Sequence, residues 1–377
     1  MMSKTVLDNL KNLAAKTLSH ASAMPKEIYT SNEILELEQE QIFSKEWICV
    51  GRETEIPKVG DFFTFQLGNQ PIIILRDREQ KVKAISNVCL HRMMQIVEGK
   101  GNKKTFTCPY HAWTYNLDGN LVMAKFMDRT ECFDKKSLKL PQIKCEIFLG
   151  WIYVSLNENI HSVSDTLSNL YEVVSPYRME NYIDIISEEH VWNTNWKILT
   201  ENFMEGYHLP VAHQGTVGPY FNVLDTEFDD RGAFDGFTYQ TFTKNEDALV
   251  GTAHHRNNSL TGKWRHTSVL PTIFPSHMYS LAPDHLWYLS LQPNGTDKVN
   301  IKFGAAIAPE VLEDQDDQEQ FLDETRKFLH HVQEEDRFVV EGIYKGVCSP
   351  LSNPGPLSWL ERENHEFTQY IAKKLAN

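Results

Sequence analysis

Two short motifs in the first third of the chain combine cysteine with histidine. The first is Cys89-Leu90-His91, and the second, after sixteen intervening residues, is Cys108-Pro109-Tyr110-His111. Two thiolates and two imidazoles can bind zinc, or a [2Fe–2S] cluster with two cysteines on one iron and two histidines on the other. A zinc finger would carry its histidines on one helix, and no helical pattern is present here. The context therefore favours iron and sulfur.

A second group of candidate ligands follows about a hundred residues later, in the segment from Asn195 to His213. If residues 196–208 are helical, Glu201, Glu205 and His208 share one face of the helix. Pro210 disfavours helix at Leu209. We expect the helix to end there, because His208 and His213 would point apart on an unbroken helix. Two imidazoles and a carboxylate form the facial triad of Fe(II) oxygenases.

The carboxylate of that triad has several candidates in the last predicted helical region, namely Glu334, Glu335, Asp336 and Glu341. On a helical wheel, Asp336 falls in the middle of an apolar stripe, whereas Glu335 lies to one side of it. A carboxylate on an apolar face is costly unless a cation pairs with it. Asp336 is therefore the predicted third ligand. The alternatives are a buried Asp336 paired with Arg or Lys, and Glu335 as the ligand.

Two kinds of folding pattern surround these motifs. Helical spacing from Thr5 to about Ser19 and from Thr30 to Trp47 gives way to short β-rich runs separated by turns. Strand-like and helical stretches then alternate, with a final helical region from about Pro309 to Tyr344. The sequence predicts an α+β protein with three parts: residues 1–46 as N-terminal helices packing on the last domain, 47–156 as an all-β domain, and 157–377 as a mixed domain.

Length, charge and hydropathy limit the classes of partner. At about 150 residues per domain, 377 residues correspond to two or three domains. The net charge of −14 argues against nucleic acid or an anionic membrane surface as a partner, since both require a basic face. No window approaches the roughly 18 consecutive apolar residues of a membrane span, and no secretory leader is recognised. We expect a cytoplasmic protein.

The cysteine–histidine loops resemble those of the Rieske family, and the Asn195–His213 segment resembles the catalytic motif of Rieske non-haem iron oxygenase α subunits. The resemblance covers residues from about 30 to 345. It implies an all-β Rieske domain followed by a helix-grip (START-like) domain with an antiparallel sheet. Many family members have Gly after Cys-x-His-Arg, whereas this chain has Met93.

The resemblance also implies roles for individual residues. Four cluster ligands are expected: Cys89, His91, Cys108 and His111. The expected ligands of a mononuclear Fe(II) are His208, His213 and Asp336. Asn202 takes the place of an amide beside the iron. Glu205 takes the place of a carboxylate that joins an iron ligand to a cluster ligand of a neighbouring subunit, here His111.

The family arrangement implies further partners. It is a homotrimer that receives electrons from a separate NAD(P)H-dependent flavin or iron–sulfur reductase and uses O2 as co-substrate. The sequence itself contains no dinucleotide fingerprint, P-loop or flavin motif that could replace such a reductase.

The substrate is the least determined feature. Most members of the family have Asp where this chain has Glu205, and Glu resembles the branch that oxidises carnitine, glycine betaine and choline. Aromatic side chains between His213 and Asp336 suit a cation–π cage for a trimethylammonium group, although such side chains more often form ordinary core. They are Tyr220, Phe221, Tyr239, Phe242, Trp264, Tyr279, Trp287 and Tyr288.

These features predict oxidative N-demethylation of a small quaternary ammonium compound. The alternatives are hydroxylation or O-demethylation of an aromatic acid, and, in another class, a Rieske electron-transfer protein without an oxygenase site. The second ligand group speaks against the last alternative.

Overall fold

A computed structural model describes residues 2–229, 236–245 and 250–376 of the chain. The chain divides into two compact units. The first, here called the β unit, is Phe43–Val163. The second, here called the α+β unit, joins Met1–Ile42 to Ser164–Asn377.

Short helices open the α+β unit. They are α1 (Met2–Ala14), α2 (Glu27–Thr30) and α3 (Asn32–Glu38), followed by a turn of π-helix at Gln39–Phe43. Ser31 begins α3 because its hydroxyl accepts a hydrogen bond from the Ile34 backbone N–H. Helix α1 packs against the last helix of the chain.

The β unit consists of antiparallel strands in two sheets. The larger sheet has the order β1-β10-β9-β4-β3-β2-β5, and the smaller has the order β6-β7-β8. The strands are β1 (Ile48–Arg52), β2 (Asp61–Leu67), β3 (Gln70–Arg76), β4 (Val82–Ser86), β5 (Lys100–Asn102), β6 (Thr105–Thr107), β7 (Thr114–Asn116), β8 (Leu121–Met123), β9 (Gln142–Phe148) and β10 (Trp151–Ser155).

Local sequence explains two features of the larger sheet. Leu149 and Gly150, which join β9 to β10, both have positive φ (49° and 83°), as a tight two-residue hairpin turn requires. Strand β3 carries the apolar run Ile72–Leu75, every side chain of which is buried. Such a run is typical of a strand that is covered on both faces.

A sheet with long strands dominates the α+β unit. Its order is β11-β17-β16-β15-β14-β13-β12, with every neighbouring pair antiparallel. The strands are β11 (Ile183–Trp192), β12 (Thr226–Phe228), β13 (Phe237–Thr243), β14 (Thr267–Ile273), β15 (His277–Leu281), β16 (His285–Pro293) and β17 (Val299–Ile307). The remaining helices are α4 (Val163–Thr166), α5 (Ser168–Val174), α6 (Trp196–Phe203), α7 (Leu209–Ala212), α8 (Pro309–Glu313), α9 (Gln318–Val347) and α10 (Arg362–Leu375).

Helices α6 and α9 position the second group of candidate ligands. Asn195 begins α6 by accepting a hydrogen bond from the Lys197 backbone N–H, and almost every side chain of this helix is buried. Helix α9 is 30 residues long and contacts β11, α6 and α7. Among the helices of the described residues, none combines the length and the hydropathy that a membrane span requires.

The predicted α+β class is confirmed, with an all-β domain and an antiparallel sheet in the mixed domain. The predicted helix over residues 196–208 is wrong in its second half, because α6 ends at Phe203. The expected break at Leu209 is also wrong, since α7 begins there. Pro210 is tolerated because it occupies the first turn, where its missing N–H removes no helical hydrogen bond.

Candidate functional site

The two cysteine–histidine motifs lie in loops of the β unit that share one backbone design. The first loop follows β4, and the second lies between β6 and β7. In each loop the residue four positions after the cysteine, Met93 or Ala112, has φ of 57° and donates its N–H to the cysteine carbonyl at 3.0 Å. Both loops therefore turn back in the same way and present their side chains from similar positions.

The cysteines lie at the inner end of this site and the histidines at its outer end. Cys89 and Cys108 are buried in a core with Trp113 and Tyr115, whereas His91 is half-buried and His111 is exposed. The rings of His91 and His111 lie 4.6 Å apart between centroids. The structure thus brings the four predicted ligands of the cluster together.

The donor atoms at this site fit a [2Fe–2S] cluster. His91 Nδ1 is buried and has no hydrogen-bond partner among the described residues, so it is free to bind a metal. Partial burial and the neighbouring His111 and Arg92 lower the pKa of His91, which favours the neutral form that ligates. Burial raises the pKa of the Cys89 thiol, so that its thiolate requires a nearby cation such as iron.

Tyr115 is a contact of this site that the sequence analysis did not identify. Its hydroxyl lies 3.3 Å from Cys89 Sγ and accepts a hydrogen bond from the Leu90 N–H at 3.0 Å. The hydroxyl hydrogen is therefore free to point at the sulfur. A hydrogen bond to a ligand sulfur changes the reduction potential of an iron–sulfur cluster.

The second group of ligands converges in the α+β unit. One nitrogen from each of His208 and His213 and one oxygen of Asp336 all lie within 4.8 Å of one another. Asp336 Oδ1 is 3.1 Å from His213 Nε2 and 3.7 Å from His208 Nε2. Two imidazoles and a carboxylate around one point fit the ligand set of a mononuclear Fe(II).

A carboxylate holds each histidine from the side away from that point. Glu205 Oε1 is 2.6 Å from His208 Nδ1, and Glu335 Oε2 is 2.8 Å from His213 Nδ1. Each Nδ1–H can donate to its carboxylate, which leaves Nε2 with a lone pair towards Asp336. Asp336 therefore lies on the Nε2 side of the His213 ring, and Glu335 lies on its Nδ1 side.

A single helical turn sets the spacing of the two histidines. His208 and His213 lie at the two ends of α7, with ring centroids 5.1 Å apart. Glu205 Oε2 also accepts the His208 backbone N–H at 3.0 Å, which stabilises the chain reversal after α6. The expectation that the helix must end between the histidines is wrong, because the four residues of α7 lie between them, with His208 directly before this helix and His213 directly after it.

Further predicted residues lie near this site. Asn202 is buried on α6 and lines a cavity together with Glu205 and His208. Of the aromatic side chains proposed for a cation cage, Phe242 lies beside the motif: a Cβ on Gly206 would be 3.2 Å from its ring. Trp287 packs edge-on against Phe203 at 5.1 Å.

Other members of the aromatic set belong to the sheet core or to the surface. Tyr239, Tyr279 and Tyr288 are buried in β13, β15 and β16. Tyr220 is exposed, and Trp264 contacts the Lys263 ammonium. Among the described residues, these eight aromatic side chains therefore do not form a single cage.

Two polar contacts behind the histidines were not anticipated. Thr216 Oγ1 donates to Glu335 Oε2 at 2.5 Å, which orients the carboxylate that holds His213. Tyr29 donates from its hydroxyl to both oxygens of Glu201, at 2.9 and 3.0 Å. These partners lie more than a hundred residues apart in the chain, so no local pattern could reveal them.

Comparison with known families assigns both regions. Residues 46–134 match the Rieske [2Fe-2S] domain, and residues 177–377 match the ring hydroxylating alpha subunit (catalytic domain). The two domains imply a Rieske cluster and a mononuclear iron, so the predicted cofactors are confirmed.

Curated relatives are similar over part of the sequence. The carnitine monooxygenase oxygenase subunit of Acinetobacter baumannii is 36% identical over 203 residues, which are 52% of this chain and 53% of the relative. The glycine betaine monooxygenase oxygenase subunit of Pseudomonas aeruginosa is 36% identical over 199 residues, which are 52% of this chain and 46% of the relative. The chain thus spans about half the length of the curated relatives it matches.

A solved structure matches over nearly the whole chain. The quaternary ammonium Rieske monooxygenase CntA in complex with L-carnitine has a TM-score of 0.81 and 25% identity, covering 97% of this chain and 98% of that protein. The catalytic-domain match extends over more than half of the sequence. The chain therefore belongs to the family of ring-hydroxylating oxygenase α subunits.

Proposed function

We propose that this chain is the oxygenase component of a Rieske monooxygenase that hydroxylates a small, betaine-like quaternary ammonium compound. The observation that carries this proposal is the site around Asp336 Oδ1, where two carboxylate-backed imidazoles offer their Nε2 atoms to one metal. A Rieske electron carrier needs only its cluster and does not require a second metal site.

In this proposal the cluster is held by Cys89, His91, Cys108 and His111, and the mononuclear iron by His208, His213 and Asp336. The bound iron supplies activation of O2 next to the substrate, and the cluster supplies electrons one at a time. The protein holds the ligands at fixed angles through Glu205 and Glu335. Ligands supported in this way keep their geometry when the substrate enters.

Glu205 also has a proposed role in electron transfer. Its carboxylate touches His208 Nδ1, and in the family this position faces a cluster ligand of the neighbouring subunit, here His111. For the similar quaternary ammonium Rieske monooxygenase CntA, electron transfer is described as inter-subunit. A homotrimer supplied by a separate NAD(P)H-dependent reductase satisfies this requirement.

The proposed substrate class rests on the relatives and on the glutamate at position 205. Relatives named for carnitine and for glycine betaine share 36% identity with this chain over about 200 residues. Hydroxylation of an N-methyl group gives a carbinolamine that releases formaldehyde. Hydroxylation at the main-chain carbon attached to nitrogen would release trimethylamine instead.

A substrate panel tests the proposal. The purified holoenzyme, a surrogate reductase and NADH would be incubated with carnitine, glycine betaine, choline and two aromatic acids, and products identified by mass spectrometry. We expect O2-dependent release of formaldehyde or trimethylamine from at least one quaternary amine. Turnover of an aromatic acid, with none of the quaternary amines oxidised, would overturn the proposed substrate class.

Iron analysis separates an oxygenase from an electron carrier. Two cluster irons and one mononuclear iron give about three per chain, whereas a carrier holds about two. A content of two irons, with the cluster spectrum intact and no product from any substrate, would contradict the oxygenase assignment.

A further inference from the structure

A cavity of about 400 Å³ lies in the α+β unit next to the candidate iron ligands. Its wall includes His208 and three carboxylic acid side chains, Glu201, Glu205 and Glu361. Glu205 is already engaged by His208, and Glu361 accepts a hydrogen bond from the Ser358 N–H at 2.6 Å. The third acid, Glu201, has no part in holding the metal ligands.

Glu201 lies on α6, and opposing influences act on its carboxyl group. Burial raises its pKa to about 8, while the Tyr29 hydroxyl and the Lys197 ammonium lower it and the Glu361 carboxylate raises it. Lys197 is itself paired with Glu38 at 2.6 Å, so much of its charge is already balanced.

The other charged groups around the cavity are also accounted for. Lys26 lines the wall, but its Nζ donates to the carbonyls of Ser349 and Pro350, each at 3.1 Å. Burial raises the pKa of Glu361, and the charge of Glu205 adds to this effect. Helix α10 contributes the uncharged Asn364 and Thr368.

The position of Glu201 suits exchange of a proton with the cavity. The side chain is half-buried and lines the same cavity as Glu205, and this cavity has room for several water molecules. Tyr29 donates to both oxygens of the ionised form, so that form keeps hydrogen bonds after the proton leaves.

We propose that Glu201 is a proton store, which is protonated in the resting enzyme and releases its proton into the cavity beside Glu205 during turnover. This inference rests on the proposed monooxygenase function, whose overall reaction is R–H + O2 + 2 e⁻ + 2 H⁺ → R–OH + H2O. The electrons come from the reductase. Glu201 supplies one of the two protons, becomes a carboxylate, and is protonated again by solvent in the cavity.

Infrared spectroscopy of the holoenzyme at a series of pH values tests the proton store without turnover. We expect the carbonyl stretch of a protonated carboxyl group to disappear with a midpoint near pH 8. The band should be absent in Glu201→Gln and unchanged in Glu189→Gln, whose side chain is exposed. Burial also raises the pKa of Glu361 and of Glu363, so only the component with a midpoint near pH 8 is assigned to Glu201. A component with that midpoint that persists in Glu201→Gln, or no such component in the wild type, would overturn the proposal.

Tyr29→Phe provides a second variant if Glu201→Gln does not fold. It removes the hydroxyl that stabilises the ionised form of Glu201, so the midpoint of the same band should move to higher pH. An unchanged midpoint in a folded Tyr29→Phe holoenzyme would contradict the assignment of the proton to Glu201.

The pH profile of turnover connects the store to catalysis. In the wild type, product formation should become slower above about pH 8. Glu201→Gln should be at least about tenfold slower than the wild type, and its rate should no longer fall above that pH. Iron and cluster content should remain unchanged. The infrared band does not depend on a substrate, so a titrating Glu201 in an enzyme that oxidises no betaine would reject the proposed function alone. Normal oxidation of betaine by Glu201→Gln would reject the proton store alone.

Discussion

Individual residues at the second site divide into the proposed metal ligands and the residues that hold those ligands in place. His208 and His213 share a geometry in which Nε2 points to Asp336 and Nδ1 meets a carboxylate. This arrangement selects one tautomer and one ring orientation for each histidine. The second carboxylate of the pair, Glu335, is therefore assigned to support rather than to ligation.

That assignment predicts different outcomes for adjacent acids on α9. Glu335→Gln should weaken iron binding by about 10- to 100-fold, because it loses a carboxylate behind a ligand. Asp336→Asn should abolish binding, because it changes the ligand itself. Titration with Fe(II) under anaerobic conditions measures both, with Glu334→Gln as control, since Glu334 is 71% exposed. Equal losses in Glu335→Gln and Asp336→Asn would contradict the distinction.

The Tyr115 hydroxyl gives a prediction for the cluster. Tyr115→Phe removes a donor 3.3 Å from Cys89 Sγ, so the reduced, more negative cluster loses more stabilisation than the oxidised one. We expect the reduction potential to fall by about 50 mV, or about 1 kcal/mol for one electron. Spectroelectrochemistry measures it. Tyr110→Phe is a matched control, since that hydroxyl meets Arg92; an equal shift in both variants would oppose the explanation.

The residues proposed to bind the metals carry a local sequence pattern, whereas those that support them do not. The four cysteine and histidine positions form two short motifs, and Asp336 stood out as a charge on an apolar stripe. Tyr115 meets Cys89 across 26 residues, and Glu335 meets His213 across 122. Such contacts depend on how whole elements pack and leave no local pattern.

At the level of elements, the two cluster loops rely on a left-handed residue at equivalent positions. Only the second carries a small side chain there, Ala112, whereas the first carries Met93, which is 81% exposed. An L-residue in this region costs about 1 kcal/mol or more relative to glycine. The glycine found in many relatives thus has a conformational explanation, and this chain departs from it.

Met93→Gly should therefore stabilise the holoprotein by about 1 kcal/mol, since an exposed side chain is lost and the strain is relieved. Thermal unfolding, monitored through the loss of the cluster's visible absorption, measures the change. Met94→Gly is the control, because Met94 has no positive φ and glycine there should only destabilise. A lower midpoint for Met93→Gly than for the wild type would show that the methionine makes a stabilising contact.

Some elements were predictable and others were not. Strand β17, Val299–Ile307, begins with buried apolar side chains at every second position, Val299, Ile301 and Phe303, a spacing that is typical of a strand. Helix α10 was missed because polar side chains, including Glu363, Asn364, His365 and Glu366, are buried on it, which obscures an apolar stripe. The end of α6 was misplaced because the chain reversal depends on the bond from the His208 N–H to Glu205.

On the scale of the whole molecule, charge is unevenly divided between the two units. The β unit carries 17 Lys and Arg against 13 Asp and Glu, whereas the rest of the chain carries 20 against 38. Unlike charges favour contact between the β unit of one copy and the α+β unit of another. This polarity supports the proposed oligomer, in which Glu205 joins the two iron centres of neighbouring subunits.

The most direct test of that link is a single turnover of Glu205→Ala. The reduced holoenzyme would be mixed with O2 and a quaternary amine identified by the panel, while cluster oxidation and product are followed together. We predict that Glu205→Ala retains the cluster and the mononuclear iron but no longer couples cluster oxidation to product, whereas Glu334→Ala behaves as wild type. Product formed by Glu205→Ala at the wild-type rate and in the wild-type ratio to cluster oxidised would contradict the role of Glu205.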